Sequence, residues 1–392
     1  MKKKRLGIIG GGQLAMMLAD AARSMKYSVT VLSETEKEPA ISHADDFVVG
    51  RFNEESSFLN LFSKCDVIAF ESEFSNTAAL KKVADRFPYI VGLHLSALDH
   101  LADKLRQKQF LVELGIPTAA YSVMNGNPET WLRDLKNHYP QGCMLKWAKG
   151  GYDGKGNFLW RYQPDLHVKA LDFVSKALDK NISIYAEELV VFEKELAVVT
   201  ARSVSGESLS YPTMITVQGD GICLEALGPA VSLALPSKCA DRAEAIAKEI
   251  GNKVGLYGVF AVEFFYTPSG DVLVNEIAPR VHNSGHFSLG AAEVSQFTAH
   301  WLCLLGEPLP PWGCKSYVGM LNVLGPAKIQ GEVTPLLYSS TGIVSYWYEK
   351  RDSRPGRKMG HMVIFANSQA EFDLKWAEAR SVLKEWHTSY NS

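Results

Sequence analysis

The first hundred residues restrict the fold more than any other part of the chain. Residues 6–9 are a short apolar run, Gly10-Gly11-Gly12 follows, and a helical pattern runs from Leu14 to about Met25. Residues 27–32 alternate as a strand does, and 66–70 and 89–91 are further apolar runs. Strand and helix signals in this rhythm imply a parallel sheet with helices on both faces. We place that domain at residues 1–100.

A chain of 392 residues is too long for one ordinary core, so further domains follow. A helix is expected over 96–114, stopped by Gly115-Ile116-Pro117. It opens a central region, 101–305, that mixes strands with Gly-rich loops. Gly306-Glu307-Pro308-Leu309-Pro310-Pro311 marks a linker into a β-rich segment, 306–392, with strand-like pieces at 317–323, 342–348 and 361–366 and a last helix at about 369–386. The class is α/β. A net charge of −2 argues against a nucleic-acid coat or a membrane-surface binder. Lys2-Lys3-Lys4-Arg5 resembles the start of a signal peptide, but Gly7 and Gly10–Gly12 break the apolar stretch behind it. No run is long enough to span a bilayer. The six cysteines have no paired spacing and read as reduced thiols of a cytoplasmic protein.

Chemistry concentrates at 275–287, where Asn275, Glu276, Arg280, His282, Asn283, Ser284 and His286 follow directly on the apolar run Val272-Leu273-Val274. A strand delivering such groups into a loop is how a rigid scaffold presents them. The preceding residues 258–266 read as a strand and 267–271 as a turn. Glu263 and Glu276, nearly equidistant from the turn centre, should therefore face each other across a hairpin. Opposed like charges call for a cation between them, and two carboxylates beside Asn275 form an oxygen-only site suited to magnesium bridging phosphates; the bland alternative is a solvated face. Zinc on His282 and His286 is disfavoured, since no Cys or third His stands at ligand spacing.

Three other segments bear on anions. Gly10-Gly11-Gly12-Gln13-Leu14-Ala15, with Glu34 about twenty residues on, fits a dinucleotide fingerprint, although mononucleotide phosphates use the same geometry and a tight packing turn would look alike. Lys146 ends an apolar run and leads to Gly150-Gly151-Tyr152-Asp153-Gly154-Lys155-Gly156, a loop able to close over phosphates or simply to be solvated. Arg354-Pro355-Gly356-Arg357-Lys358-Met359-Gly360-His361 is a basic turn suited to clamping an anion.

In this order, together with Gln107-Lys108-Gln109 and Ser295-Gln296-Phe297, these segments resemble the 5-(carboxyamino)imidazole ribonucleotide synthase family of ATP-grasp ligases in purine biosynthesis. The resemblance implies an N-terminal Rossmann-like domain, a central ATP-grasp domain and a small C-terminal β-rich domain. It implies that ATP phosphorylates bicarbonate to carboxyphosphate and that the amine of 5-aminoimidazole ribonucleotide takes the carboxyl group. By the same resemblance Lys104, Lys146 and the loop Gly151, Tyr152, Asp153, Gly154, Lys155 and Gly156 would bind ATP, as would Glu187, Glu188, Leu189, Val190, Glu195, Gln218, Asn275 and Glu276. Glu263 and Glu276 would hold magnesium, with manganese as an alternative. Arg280, His282, Lys358 and Lys155 would serve the carboxyl transfer. Gly12, Gln13, Leu14, Glu73, Tyr152, Asp153, Lys155, Asn283, Ser284, Arg354, Arg357 and Lys358 would bind the ribonucleotide. A cytoplasmic homodimer is implied, with no nucleic-acid or membrane partner. The chain departs from the family pattern in following Gly12-Gln13-Leu14 with Ala15-Met16 rather than Gly-Arg, and in reading Glu71-Ser72-Glu73-Phe74 where Glu-x-Glu-Asn is favoured. The competing expectations are a relative that ligates or merely binds another amine or nucleotide, and an NAD-dependent dehydrogenase built on Gly10–Ala15.

Overall fold

The structure, a computed structural model, describes residues 3–73, 77–87, 95–150 and 156–390. Its first unit contains strands β1 (Leu6–Ile9), β2 (Val29–Ser33), β3 (Asp46–Val49) and β4 (Val67–Phe70), all parallel, in the order β3-β2-β1-β4. Every residue of β1, β2 and β4 is buried, because helices cover both faces of the sheet. Strand β2 is therefore buried along its whole length, Thr30 and Ser33 included, where residues 27–32 alternate in sequence. Helix α1 (Gln13–Ser24) packs on one face; α2 (Glu55–Phe62) and α3 (Thr77–Ala84) pack on the other. The strand expected at 89–91 lies outside the described residues.

The helix expected over 96–114 is two helices, α4 (Leu95–Leu101) and α5 (Lys104–Glu113). Asp103 between them is extended, and its carboxylate accepts the Arg106 N–H at 3.0 Å. A carboxylate satisfying an orphan amide of the first turn starts a new helix there and fixes its direction.

A second sheet, antiparallel in the order β5-β8-β6-β7, holds β5 (Tyr121–Val123), β6 (Cys143–Trp147), β7 (Asn157–Trp160) and β8 (Ile184–Glu188), with α6 (Pro128–His138) and α7 (Pro164–Leu178) packed on it. The third sheet begins with β9 (Lys194–Arg202), β10 (Ser208–Ser210), β11 (Met214–Gly219), β12 (Ile222–Gly228), β13 (Gly258–Tyr266) and β14 (Val272–Ala278). Helix α8 (Ser237–Val254) covers one face of it, and α9 (Ser288–Ala291) and α10 (Gln296–Leu305) follow. The sheet continues into β15 (Tyr317–Leu324), β16 (Ser339–Ser340), β17 (Ile343–Trp347) and β18 (Lys358–Ala366), on which α11 (Gln369–Thr388) packs. The join is β12 with β15, antiparallel from Glu225↔Leu321 to Gly228↔Val318.

The first unit docks on α10. Trp301 Nε1 donates to the Leu18 carbonyl at 2.9 Å, and a single core runs from Leu14 and Leu18 through Val199 and Val259 to Met320. Among the described residues no helix is long and apolar enough to cross a membrane. All six cysteines are free thiols.

Candidate active site

Strands of the third sheet from β9 to β14, the second sheet, the turn before β18 and the glycine turn after β1 enclose a cavity of about 950 Å³. Its metal-binding potential lies in the β13–β14 hairpin. Glu263 and Glu276 are register partners, as the turn position required. Immediately beyond them the register shifts: Phe264 pairs with Val274, leaving Asn275 without a partner across the ladder. Such a bulge lets two consecutive side chains, Asn275 and Glu276, both reach one cavity. The Asn275 Oδ1 is buried, and no group among the described residues donates a hydrogen bond to it. Two carboxylates and an unused amide oxygen form a hard-oxygen donor set that fits magnesium. Among the described residues no group of three His, Cys, Asp or Glu could hold a metal alone, so further oxygens would have to come from a ligand.

The two carboxyls differ in how readily they ionise. Burial, then the carboxylates of Glu276 and Glu195, push Glu263 up to about 7. Burial also works against the charge on Glu276, but Lys104, donating at 2.8 Å, overcomes it and holds this carboxyl below its usual range. Burial alone pushes Glu195 up to about 7.

One wall has the character of a nucleotide site. Met144, Leu189, Val190, Phe192, Ile222 and Phe265 line an apolar slot, with the Phe192 and Phe265 rings stacked at 4.9 Å between centroids. Lys146, Glu187, Glu188, Glu195 and Gln218 border it. Glu187 is 2% exposed and ion-paired with both Lys108 and Lys146. Desolvation opposes its charge, but the two ammonium groups hold it below the usual carboxylate range.

The opposite wall carries donors. Arg280 grips Glu73 through Nε at 2.6 Å and a second nitrogen at 3.3 Å. The His282 Nδ1 accepts the Ser284 N–H at 3.4 Å, which leaves the proton on Nε2, 3.7 Å from Glu263. Burial, then Arg280 and Lys358, pull His282 down to about 3, so the ring is neutral. Gln296 at the start of α10 fixes this segment: its oxygen accepts the His282 N–H at 2.9 Å, and its amide donates to the His282 carbonyl at 2.8 Å and the His286 Nδ1 at 2.9 Å. The sequence named Gln296 within a motif but gave it no task.

At the far end stand Gly12, Gln13, Leu14, Glu73, Arg354, Arg357 and Lys358, joined by Glu38 and Lys350, which sequence reasoning did not single out. Lys350 donates to the Lys358 carbonyl at 2.6 Å. The glycine turn holds an unexpected occupant. The Glu71 carboxylate accepts the Gly12 N–H at 2.6 Å and the Leu14 N–H at 3.1 Å. It thus caps α1 from the end of β4 and fills the place a dinucleotide pyrophosphate would need. The dehydrogenase alternative fails here, and the resemblance to its fingerprint reflects close packing.

Of the remaining expected residues, Asn283 borders the cavity but exchanges amide hydrogen bonds with Asn322 at 3.0 and 2.6 Å. Ser284 is buried, its hydroxyl 2.9 Å from the His282 Nδ1. Gly156 sits in the β6–β7 connection, where its carbonyl accepts the Trp147 N–H at 2.8 Å. Gly151, Tyr152, Asp153, Gly154 and Lys155 lie outside the described residues.

Comparison with known proteins gives a consistent picture. The ATP-grasp domain model matches residues 109–297, the ribonucleotide synthetase preATP-grasp domain model residues 1–92, and the phosphoribosylaminoimidazole carboxylase C-terminal domain model residues 319–375. The N5-carboxyaminoimidazole ribonucleotide synthase of Synechococcus elongatus is 34% identical over 370 residues, covering 92% of this chain and 89% of that protein. The phosphoribosylaminoimidazole carboxylase of Ogataea methanolica is also 34% identical, over 96% of this chain; the chain spans 69% of that relative's length and 66% of the one from Saccharomyces cerevisiae. The crystal structure of the Aspergillus clavatus N5-carboxyaminoimidazole synthase with ADP and 5-aminoimidazole ribonucleotide superposes with a TM-score of 0.86 at 31% identity, covering 98% of this chain and 99% of that one.

Proposed function

The chain belongs to the N5-carboxyaminoimidazole ribonucleotide synthase family of ATP-grasp ligases, and from that membership we propose how its cavity works. The enzyme uses ATP to carboxylate the amine of 5-aminoimidazole ribonucleotide in purine biosynthesis. The adenine enters the apolar slot beside Glu187–Val190, the ribose hydroxyls meet Glu195, and Lys104 and Lys146 face the phosphates. Magnesium would be held by Glu263, Glu276 and the Asn275 Oδ1. When bound, it neutralises charge on the transferring phosphoryl oxygens.

A bicarbonate oxygen attacks the γ-phosphorus, the bond to the bridging oxygen breaks, and ADP and carboxyphosphate result. The carbon–oxygen bond of carboxyphosphate then breaks to give CO₂ and phosphate. The amine nitrogen bonds to the CO₂ carbon, and its proton passes to the phosphate. Arg280, Lys358 and the Nε2–H of His282 hold the carboxyl oxygens through these steps. His282 is neutral with its proton on Nε2, so it donates a hydrogen bond there and does not collect the amine proton. The ribonucleotide lies toward Gln13, Glu73, Arg354 and Arg357, and excluding water protects the short-lived intermediate. The glycine turn contributes less phosphate binding than its sequence suggests, because Glu71 already takes two of its amides.

The observation that carries this reading is the sharing of one cavity by the Glu263–Asn275–Glu276 oxygen set, the Lys104 and Lys146 wall and the Arg280, His282 and Lys358 wall. We propose domain limits of 1–100, 101–305 and 306–392, a reading supported by family-model matches at 1–92, 109–297 and 319–375. The free cysteines support a reducing, cytoplasmic setting. The homodimer rests on the family alone, and sedimentation of the purified chain tests it. The chemistry is tested by ADP release: it should require both bicarbonate and 5-aminoimidazole ribonucleotide. Turnover of another amine without bicarbonate would overturn the assignment.

A further inference from the structure

Lys108 is the least expected charge in the molecule. It sits in the middle of α5, 2% exposed, and does not border the cavity. An apolar side chain there would avoid the desolvation cost of a buried ammonium. Two features hold it in place. Its Nζ donates to the Thr118 hydroxyl at 2.5 Å, and that hydroxyl donates to the Val274 carbonyl at 2.7 Å, directly before Asn275 and Glu276. The same Nζ contacts one oxygen of Glu187 while Lys146 contacts the other.

The charge count of this group is informative. Burial, against the pull of Glu187, lowers the Lys108 ammonium from its usual range; while it holds its proton, two ammonium groups share one carboxylate and the triad carries one surplus positive charge. Lys108 is sealed in and Glu187, on the cavity wall, is only 3% exposed at its side chain, whereas Lys146 borders the cavity and is 13% exposed. The surplus is therefore presented at Lys146. Without Lys108, Glu187 would neutralise Lys146 fully, and the wall facing the phosphates would lose its net charge.

We propose that Lys108 is a positioning residue for ATP: by sharing Glu187 it leaves Lys146 with charge to spend on the nucleotide phosphates. The inference rests on the reading of this cavity as an ATP site. It separates two roles for Glu187, whose carboxylate orients Lys146 and whose charge must not cancel it.

The test compares binding of a non-hydrolysable ATP analogue with magnesium, and of adenosine, by calorimetry on the full chain. Lys108→Met should weaken the ATP analogue about tenfold and leave adenosine, which has no phosphates, unchanged. Adding Glu187→Gln to Lys108→Met returns the triad to one positive charge and should recover most of that loss. Lys108→Gln provides the same comparison if the methionine variant folds poorly. Unchanged affinity for the analogue, equal weakening of analogue and adenosine, or no recovery in the double variant would each overturn the proposal. Failure of the parent chain to bind the ATP analogue would instead overturn the ATP assignment on which it rests.

Discussion

At the scale of single residues, the cavity is defined by carboxyls that burial keeps from ionising freely. Glu195 is raised from 4.5 to about 7 by desolvation, with no cation among the described residues offsetting it. Between those values the folded chain holds a proton that the unfolded chain has released, so stability falls as pH rises through the window. Glu195→Gln removes this dependence. In urea titrations at pH 5 and pH 8, the variant should lose less stability on going to the higher pH than the parent does, by about 1–2 kcal/mol. An equal loss in both would show that Glu195 ionises normally. Glu263 is raised to about 7 as well, but its causes include Glu276 and Glu195, and a cation would remove that penalty. Glu263→Gln keeps the shape and the packing. It should lower ADP formation by about a hundredfold or more while the thermal midpoint holds or rises. A variant that turns over normally would remove Glu263 from the metal set.

At the scale of elements, the hairpin β13–β14 was readable because its information is local. A turn signal and two flanking runs fix the register, and the register fixes the facing glutamates. The bulge at Asn275 was not readable, because it depends on how the ladder is pinned from outside by Thr118 and by Gln107, whose side chain clasps the Ile277 backbone at 2.9 and 3.0 Å. Deleting Asn275 should close the bulge and leave Glu276 opposite Glu263. The expected result is a folded chain whose Kd for the magnesium–ATP analogue rises about tenfold, measured by calorimetry. Loss of folding would mean that the bulge is structural first. The strand–glycine–helix start was also readable, but not what fills it. Glu71 reaches the Gly12 and Leu14 amides only because β1 and β4 pair in parallel, which joins residues about sixty positions apart. Gly10, at φ +127°, has no room for a Cβ against the Glu71 side chain. Gly10→Ala should therefore cost about 2–4 kcal/mol in denaturant titration. Gly115→Ala, at φ +67° with open space around it, should cost only about 1 kcal/mol.

At the scale of the whole molecule, local patterns in the sequence say little about how its segments join. Proline and glycine at 306–311 look like a linker between independent bodies, yet the strands after it extend the sheet before it. Residues 225–228 of β12 pair with 318–321 of β15, a contact across some ninety positions that no local pattern announces. Val318, Met320 and Val363 from the last segment share one core with Val199, Val259 and the α1 residues. The cavity depends on this continuity, since Arg354, Arg357 and Lys358 come from the last segment and Glu263 and Glu276 from the central one. Removing residues 307–392 would expose the β12 edge and uncover part of that core, leaving unpaired backbone groups and apolar surface together. A 1–306 fragment should therefore aggregate or remain without a cooperative transition. In the full chain, hydrogen exchange should protect the β12 and β15 amides to the same extent, with both opening in one step. A soluble 1–306 fragment that melts cooperatively, with β15 amides exchanging well before those of β12 in the full chain, would show that the last segment is an appended domain and that its basic residues reach the site by docking rather than by being built into the sheet.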